Sequence, residues 1–302
     1  MARHVSFGCF TIFWGNAMIT ILDGGIGQEL IARSAAEPTP LWATKVLLEE
    51  PDLVRAVHDD FFAAGAMVAT TNSYAIHHDR LIPARLDDQF DALHRAACEI
   101  ACASRDASGG GRVAGVIGPL IGSYQTGPLP QDAEERFAEV CRIQAPYVDH
   151  FLIETVSALE HVRTSLAGVS RHGKPVWLSV SVDDYDGTKL RSGEPLEAVM
   201  DCIDEADALL VNCATPEAVT VAVDVIKSCE KPFGAYANGF TEITKSFVQV
   251  GATVRELSTR TDLTPEAYAA FAEDWAAMGA TIIGGCCEVG PAHIAEIARR
   301  LT

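Results

Sequence analysis

A closed (β/α)8 barrel forming a single domain is the fold class that the 302-residue sequence predicts, and three observations predict it. Eight short β-rich runs recur along the chain, and longer stretches with helical spacing separate them. The runs are nearly continuous in Val, Ile, Leu and Ala, as strands buried on both faces of a parallel sheet are. No Pro/Gly/Ser-rich linker or shift of composition divides the chain. An open doubly wound sheet commonly stops at about five to seven strands, and its Gly-x-Gly-x-x-Gly fingerprint follows the first strand. Here that position reads Asp23-Gly24-Gly25-Ile26-Gly27, so the barrel is the better fit.

In chain order, the first run covers residues 19–25 (ITILDGG) and the second 66–74 (AMVATTNSY). Between them Leu53, Val57 and Phe61 share one face of a helix. Leu86, Phe90, Leu93, Ala97 and Ile100 do the same before the third run, 112–120 (RVAGVIGPL). The next three runs are 150–155 (HFLIET), 175–182 (PVWLSVSV) and 208–214 (ALLVNCA). Thr215-Pro216-Glu217 then sets a capping hydroxyl ahead of a proline suited to the first helical position. Thr264-Pro265-Glu266 repeats that signal after the seventh run, 232–239 (PFGAYANG). Phe271, Trp275 and Met278 share the face of a helix leading to the last run, 280–287 (ATIIGGCC). The segments 108–111 (SGGG) and 183–194 (DDYDGTKLRSGE) are expected as surface loops. Residues 1–17 carry Arg3 and His4 before an apolar patch, a faint signal-peptide pattern that Trp14, Gly15 and Asn16 interrupt. They are read as an extension ahead of a barrel domain spanning 18–302, with Met18 a candidate native start.

Lys and Arg number 23 against 41 Asp and Glu, giving a formal net charge of −18 that disfavours a nucleic-acid partner. The same field mildly favours a cationic small molecule. No apolar run approaches the ~20 residues that span a bilayer. Nine cysteines, an odd number at low density, suit reduced thiols in the cytoplasm better than a secreted disulfide framework. The sequence specifies no oligomeric state.

The active site of such a barrel forms at the carboxyl ends of its strands. The runs end with Asp23, Asn72, Gly118, Glu154, Ser181, Asn212 with Cys213, Tyr236 with Asn238, and Cys286 with Cys287. Three thiols and two carboxylates therefore converge on one rim, whereas the cysteines at 9, 98, 102, 141, 202 and 229 are read as core filler. Neighbours along a strand point to opposite faces, so Cys286 and Cys287 can share one ion only if the strand has ended and the chain is turning. Gly284, Gly285, Gly290 and Pro291 suggest that turn. Three thiolates with an open fourth position are an arrangement for catalytic zinc (Zn2+), and sulfur ligands favour zinc over magnesium or calcium. A vicinal redox switch is the alternative reading of the same pair.

The sequence resembles the homocysteine S-methyltransferase family, barrel enzymes that methylate homocysteine to methionine. The matching pieces are DGGIGQEL (23–30), LWATKVLLEEPDLVRAVHDDF (41–61), TTNSYA (70–75), ETVSALE (154–160), VNCATP (211–216), YANG (236–239), IGGCC (283–287) and PAHI (291–294). The segment at Leu41-Trp42 is more similar to the branch using S-methylmethionine or S-adenosylmethionine than to the betaine branch. The resemblance implies zinc held by Cys213, Cys286 and Cys287, with the homocysteine sulfur as fourth ligand. It implies that Asp23 and Glu154 receive the substrate ammonium and that amides near Gly24 and Gly25 meet its carboxylate. It further implies support from Asn72 and Asn212, and a far wall shaped by Tyr236 and Asn238. Two positions depart from the family pattern. Glu288-Val289-Gly290 stands where Gly-Thr and a further small residue are usual, so Glu288 is expected to offer a third carboxylate to the ammonium or to a cationic donor. Ala237 stands where Pro is common. The expected chemistry moves a methyl group from a sulfonium donor to the zinc-held thiol, the alternatives being betaine, another donor or thiol acceptor, or a non-catalytic zinc or thiol sensor.

Overall fold

Eight parallel strands close into a barrel in the computed structural model, which describes residues 13–14, 17–34, 41, 43–248 and 254–302. They are β1 (Thr20–Ile21), β2 (Val68–Thr70), β3 (Arg112–Ile117), β4 (His150–Val156), β5 (Val176–Val180), β6 (Ala208–Asn212), β7 (Phe233–Tyr236) and β8 (Ile282–Ile283). Seven fall inside the apolar runs, and β4 extends one residue, Val156, beyond the run 150–155. Neighbours pair in sequence order, and β8 pairs with β1 through Ile282↔Thr20 and Ile283↔Ile21. A parallel bridge between Leu22 and Val68 joins β1 to β2, with Met67 N donating to Ile21 O at 2.7 Å and Asp23 N to Val68 O at 3.2 Å. That bridge completes the ring.

Ten α-helices accompany the strands: α1 (Ile26–Arg33), α2 (Thr44–Glu49), α3 (Pro51–Ala63), α4 (His78–Ala84), α5 (Phe90–Ser108), α6 (Ala133–Gln144), α7 (Leu159–Val169), α8 (Pro216–Ile226), α9 (Pro265–Ala277) and α10 (Pro291–Leu301), counted among the described residues. Leu22, Val68, Ala114, Leu152, Trp177, Leu210, Tyr236 and Ile282 fill the barrel interior, as side chains from successive strands do in this fold. A larger apolar layer lies between barrel and helices. Thr215 and Thr264 cap α8 and α9 as the sequence predicts, each hydroxyl accepting a backbone N–H three residues on. Among the described residues no helix is long and apolar enough to cross a membrane.

Two expectations are corrected. No α-helix follows β5; a 3-10 helix, Leu196–Cys202, takes its place, with Leu196 and Val199 buried at the three-residue spacing such a turn favours. The 183–194 segment is not simply a surface loop, because Leu190 is fully buried and the Arg191 side chain is only 9% exposed. By contrast 108–111 is exposed throughout, with Gly109 ending α5 at φ +84°. Of the expected 1–17 extension, only 13–14 and 17 lie within the described residues, where Phe13–Trp14 pairs antiparallel with Ala17–Met18. Trp42 lies outside them.

Candidate active site

The question of why two adjacent cysteines follow β8 is answered by the turn they occupy. Gly285 N donates to Asp23 O at 3.0 Å, Cys286 N to Ala237 O at 2.9 Å, and Val289 N closes the turn on Cys286 O at 3.1 Å. Tyr268 of α9 donates to both Ala237 O and Gly284 O, bracing the ends of β7 and β8 from outside. The approach of Gly25 to this turn demands glycine: a Cβ there would lie 2.6 Å from Cys286 O. Cys213 follows β6 directly and turns with φ +53°, a left-handed conformation rare outside glycine.

These turns bring Cys213, Cys286 and Cys287 together, with all three sulfurs within 4.8 Å of one another. Cys213 Sγ lies 3.8 Å from Cys287 Sγ, the spacing of two ligands on a tetrahedral ion with metal–sulfur bonds of about 2.3 Å. Cys213 and Cys286 sulfurs are 2.7 Å apart, longer than the ~2.05 Å of a disulfide, and all three cysteines are free. Among the described residues no His, Asp, Glu or further Cys joins the group, so the donor set could hold a metal ion and leave one tetrahedral corner for a ligand.

The thiols open onto a cavity at the carboxyl ends of the strands, where barrels of this kind carry their small-molecule sites. Asp23 and Glu154 enter the same cavity. Asp23 is 2% exposed and accepts from Thr70 N at 2.7 Å and from Thr70 Oγ1. Burial nevertheless pushes its carboxyl up to about 7. Burial likewise pushes Glu154 up to about 8; the Tyr236 phenol opposes that rise, while the charges of Asp23 and Cys213 add to it. Among the described residues lining this cavity there is no Lys, Arg or His. Two carboxyl groups, Asp23 buried and Glu154 half-buried, therefore share a space whose lining supplies no positive charge.

Gly24, Gly25, Asn72 and Tyr236 also line the cavity. The Gly25 amide is not free for a substrate carboxylate, however, because it donates to Val289 O at 2.9 Å. Asn72 Nδ2 donates to Ala43 O at 3.2 Å. Asn212, Asn238 and Glu288 are not among the residues lining this cavity, and each makes bracing contacts to neighbouring protein groups. Asn212 Oδ1 accepts from Thr155 N at 3.1 Å and Ser179 Oγ at 2.9 Å, while its Nδ2 donates to Thr155 Oγ1 at 3.0 Å. These bonds hold Thr155 at φ +61° and thereby fix the chain direction beside Glu154. The Asn238 side-chain oxygen accepts from Phe240 N at 3.1 Å, and the Asn238 backbone N–H donates to Ala214 O at 3.0 Å. The Glu288 carboxylate accepts from Gln28 and Thr259.

Sequence reasoning missed Gln28, Tyr124, Thr155 and Arg191. Gln28, Tyr124 and Thr155 line the cavity, and Tyr124 Oη lies 3.0 Å from Cys213 Sγ. Four of the five non-glycine residues at positive φ, among those described, are Tyr124, Thr155, Cys213 and Glu288. Such backbone concentrates at functional sites, but nothing in the residue types announces it here.

By architecture this is a (β/α)8 barrel enzyme, with thiols and carboxyls gathered where such barrels carry their chemistry. Residues 20–301 match the family model described as homocysteine S-methyltransferase. The chain is 30% identical to the homocysteine S-methyltransferase of Escherichia coli, over 93% of this chain and 95% of that one. It is 27% identical to the homocysteine S-methyltransferase YbgG of Bacillus subtilis, covering 93% of each. The crystal structure of the homocysteine methyltransferase MmuM from Escherichia coli, in its metallated form, superposes with a TM-score of 0.75 at 27% identity, covering 93% of this chain and 96% of that one. The chain belongs to the homocysteine S-methyltransferase family.

Proposed function

We propose that this enzyme transfers a methyl group from a sulfonium donor, S-methylmethionine or S-adenosylmethionine, to the thiol of L-homocysteine, giving methionine, with zinc held by Cys213, Cys286 and Cys287. The observation that carries the reading is the placement of three thiols beside two carboxyls in one cavity whose lining, among the described residues, holds no cationic side chain. The donor set fits zinc: three soft sulfurs and a free corner. Zinc bound there keeps an incoming thiol as thiolate near neutral pH, where a free thiol is mostly protonated.

The chain's own residues supply the rest. Asp23 and Glu154 bind the amino-acid ammonium, and its positive charge draws both carboxyls back toward their ionised forms. Asn212 holds Thr155, and with it the direction of β4 at Glu154, so that the ammonium and the reacting sulfur stay at a fixed separation. Tyr236 closes the barrel side of the cavity and keeps water from below. The acidic cavity favours a cationic donor over a neutral one. The S–CH3 bond of the sulfonium breaks as the new S–CH3 bond forms, and the departing neutral thioether carries the electron pair. Free, reduced cysteines throughout the described residues suit a cytoplasmic setting.

The test is zinc content together with methionine formation from homocysteine, using S-methylmethionine, S-adenosylmethionine and betaine in parallel. About one zinc per chain and turnover with a sulfonium donor support the reading. Zinc-loaded protein inactive with all three donors would replace it with a sensor or with another thiol acceptor.

A further inference from the structure

We propose that Tyr124 and Arg191 are positioning residues for Cys213: the Tyr124 hydroxyl donates to the Cys213 sulfur, and Arg191 holds both partners in place. The proposal rests on the metal-centre reading above and names residues that neither the sequence nor the family comparison assigns to it. Tyr124 is 6% exposed, and its hydroxyl lies 3.0 Å from Cys213 Sγ. A metal-bound thiolate has no proton, so in that state the phenol is necessarily the donor. The Arg191 guanidinium carbon sits 4.6 Å from the centre of the Tyr124 ring, a cation–π distance. Arg191 Nη2 donates to the carbonyl of Cys213 at 3.1 Å, and Nε donates to Ser181 Oγ at 2.9 Å. Both terminal nitrogens engage Asp184, at 3.1 and 2.9 Å, with the two side chains only 9% and 4% exposed. Asp184 in turn accepts from Thr215 N at 3.2 Å and Ile243 N at 2.8 Å.

The loops after β5, β6 and β7 are therefore tied to one buried ion pair, and its cation bonds the backbone carbonyl of Cys213, the one sulfur-bearing residue of the three that follows β6. Among the described residues, no nitrogen or oxygen donor reaches the Cys286 or Cys287 sulfur. The second layer is one-sided. It has a physical purpose: three thiolates and a bound substrate thiolate carry more negative charge than a divalent ion neutralises, and Arg191 and Tyr124 offset the excess at Cys213. Hydrogen bonds behind the ligands of a metal set their orientation and charge, and losing one typically weakens the metal about 10- to 100-fold.

Tyr124→Phe removes the hydroxyl and keeps the ring that packs under Arg191 and against Phe247. With cobalt as the probe ion, the variant is expected to lose metal to a competing chelator about 10- to 100-fold more readily than wild type. Its thiolate-to-cobalt charge-transfer band is expected to shift. Arg191→Lys keeps the charge but not the fork, and is expected to move both readouts the same way. An unchanged band and unchanged competition in Tyr124→Phe would overturn the proposal. A wild-type protein without any thiolate-to-cobalt band would instead sink the metal-centre reading itself.

Discussion

Gln28 donates its side-chain amide to the carboxylate of Glu288 at 2.5 Å, joining the turn that carries Cys286 and Cys287 to the first helix after β1. Thr259 Oγ1 occupies the second oxygen at 3.0 Å. Both Glu288 oxygens are therefore engaged by protein donors. Its partner Gln28 lines the cavity, and the buried Oε1 of Gln28 has no hydrogen-bond partner among the described residues. Swapping the two ends of that amide would set its oxygen against the carboxylate, so the orientation is fixed.

Glu288→Gly tests this link. Glu288 has φ +65°, which glycine adopts without strain, so the fold should be retained while Gln28 loses its anchor. The expected outcome is a several-fold rise in KM for the methyl donor, with the ranking of donors altered. Steady-state kinetics with each donor would check it, and an unaltered profile would make Glu288 a bystander.

Glu154→Ala removes one of the two carboxyls facing the proposed ammonium. A hydrogen bond to a charged group contributes about 1.5–3 kcal/mol, so homocysteine affinity should fall roughly 10- to 150-fold. Metal content should stay at its wild-type level. Calorimetric titration of the zinc-loaded variant measures the first, and elemental analysis the second; unchanged affinity would remove Glu154 from the site.

The raised carboxyls fix the sign of a pH effect. Burial lifts Asp23 from 3.8 to about 7 and Glu154 from 4.5 to about 8, so the ligand-free fold holds protons that the unfolded chain releases near pH 4. Their contribution to stability is fully present below about pH 4 and is lost as pH rises through 7 and 8. An ammonium ligand reverses the preference. Methionine, which has no thiol proton to lose, should therefore bind more tightly at pH 8 than at pH 6 and release protons as it binds. Calorimetry in buffers of different ionisation enthalpy detects the release; proton uptake would contradict the assignment.

Asn212→Ala leaves Thr155 N and Ser179 Oγ buried without the acceptor they share. An orphaned buried donor costs about 1–3 kcal/mol, so a total loss of roughly 2–4 kcal/mol is expected. Urea unfolding measures it, and a change under about 0.5 kcal/mol, the range of ordinary surface substitutions, would show that Asn212 is not a brace.

The barrel was legible because its signals are local. Apolar runs such as HFLIET and ALLVNCA, and caps such as Thr215 and Thr264, lie within a few residues of the feature they specify. The rule that strand ends carry the site located Asp23, Glu154 and the three cysteines for the same reason. Arg191 was illegible because Tyr124 and Cys213 come from other loops, and only a closed barrel brings them to a side chain paired with Asp184 of its own loop. Asn212 and Asn238 could be placed at strand ends but not assigned a direction. One residue of register decides whether a side chain faces the cavity or its neighbours.

X-ray absorption at the zinc edge, recorded with and without homocysteine, tests the three-thiol centre most directly. The account predicts three sulfur neighbours at about 2.3 Å plus one lighter atom in the ligand-free enzyme, becoming four sulfurs when homocysteine binds. Fewer than three protein sulfurs on the metal, or a fourth protein ligand that homocysteine leaves in place, would contradict it.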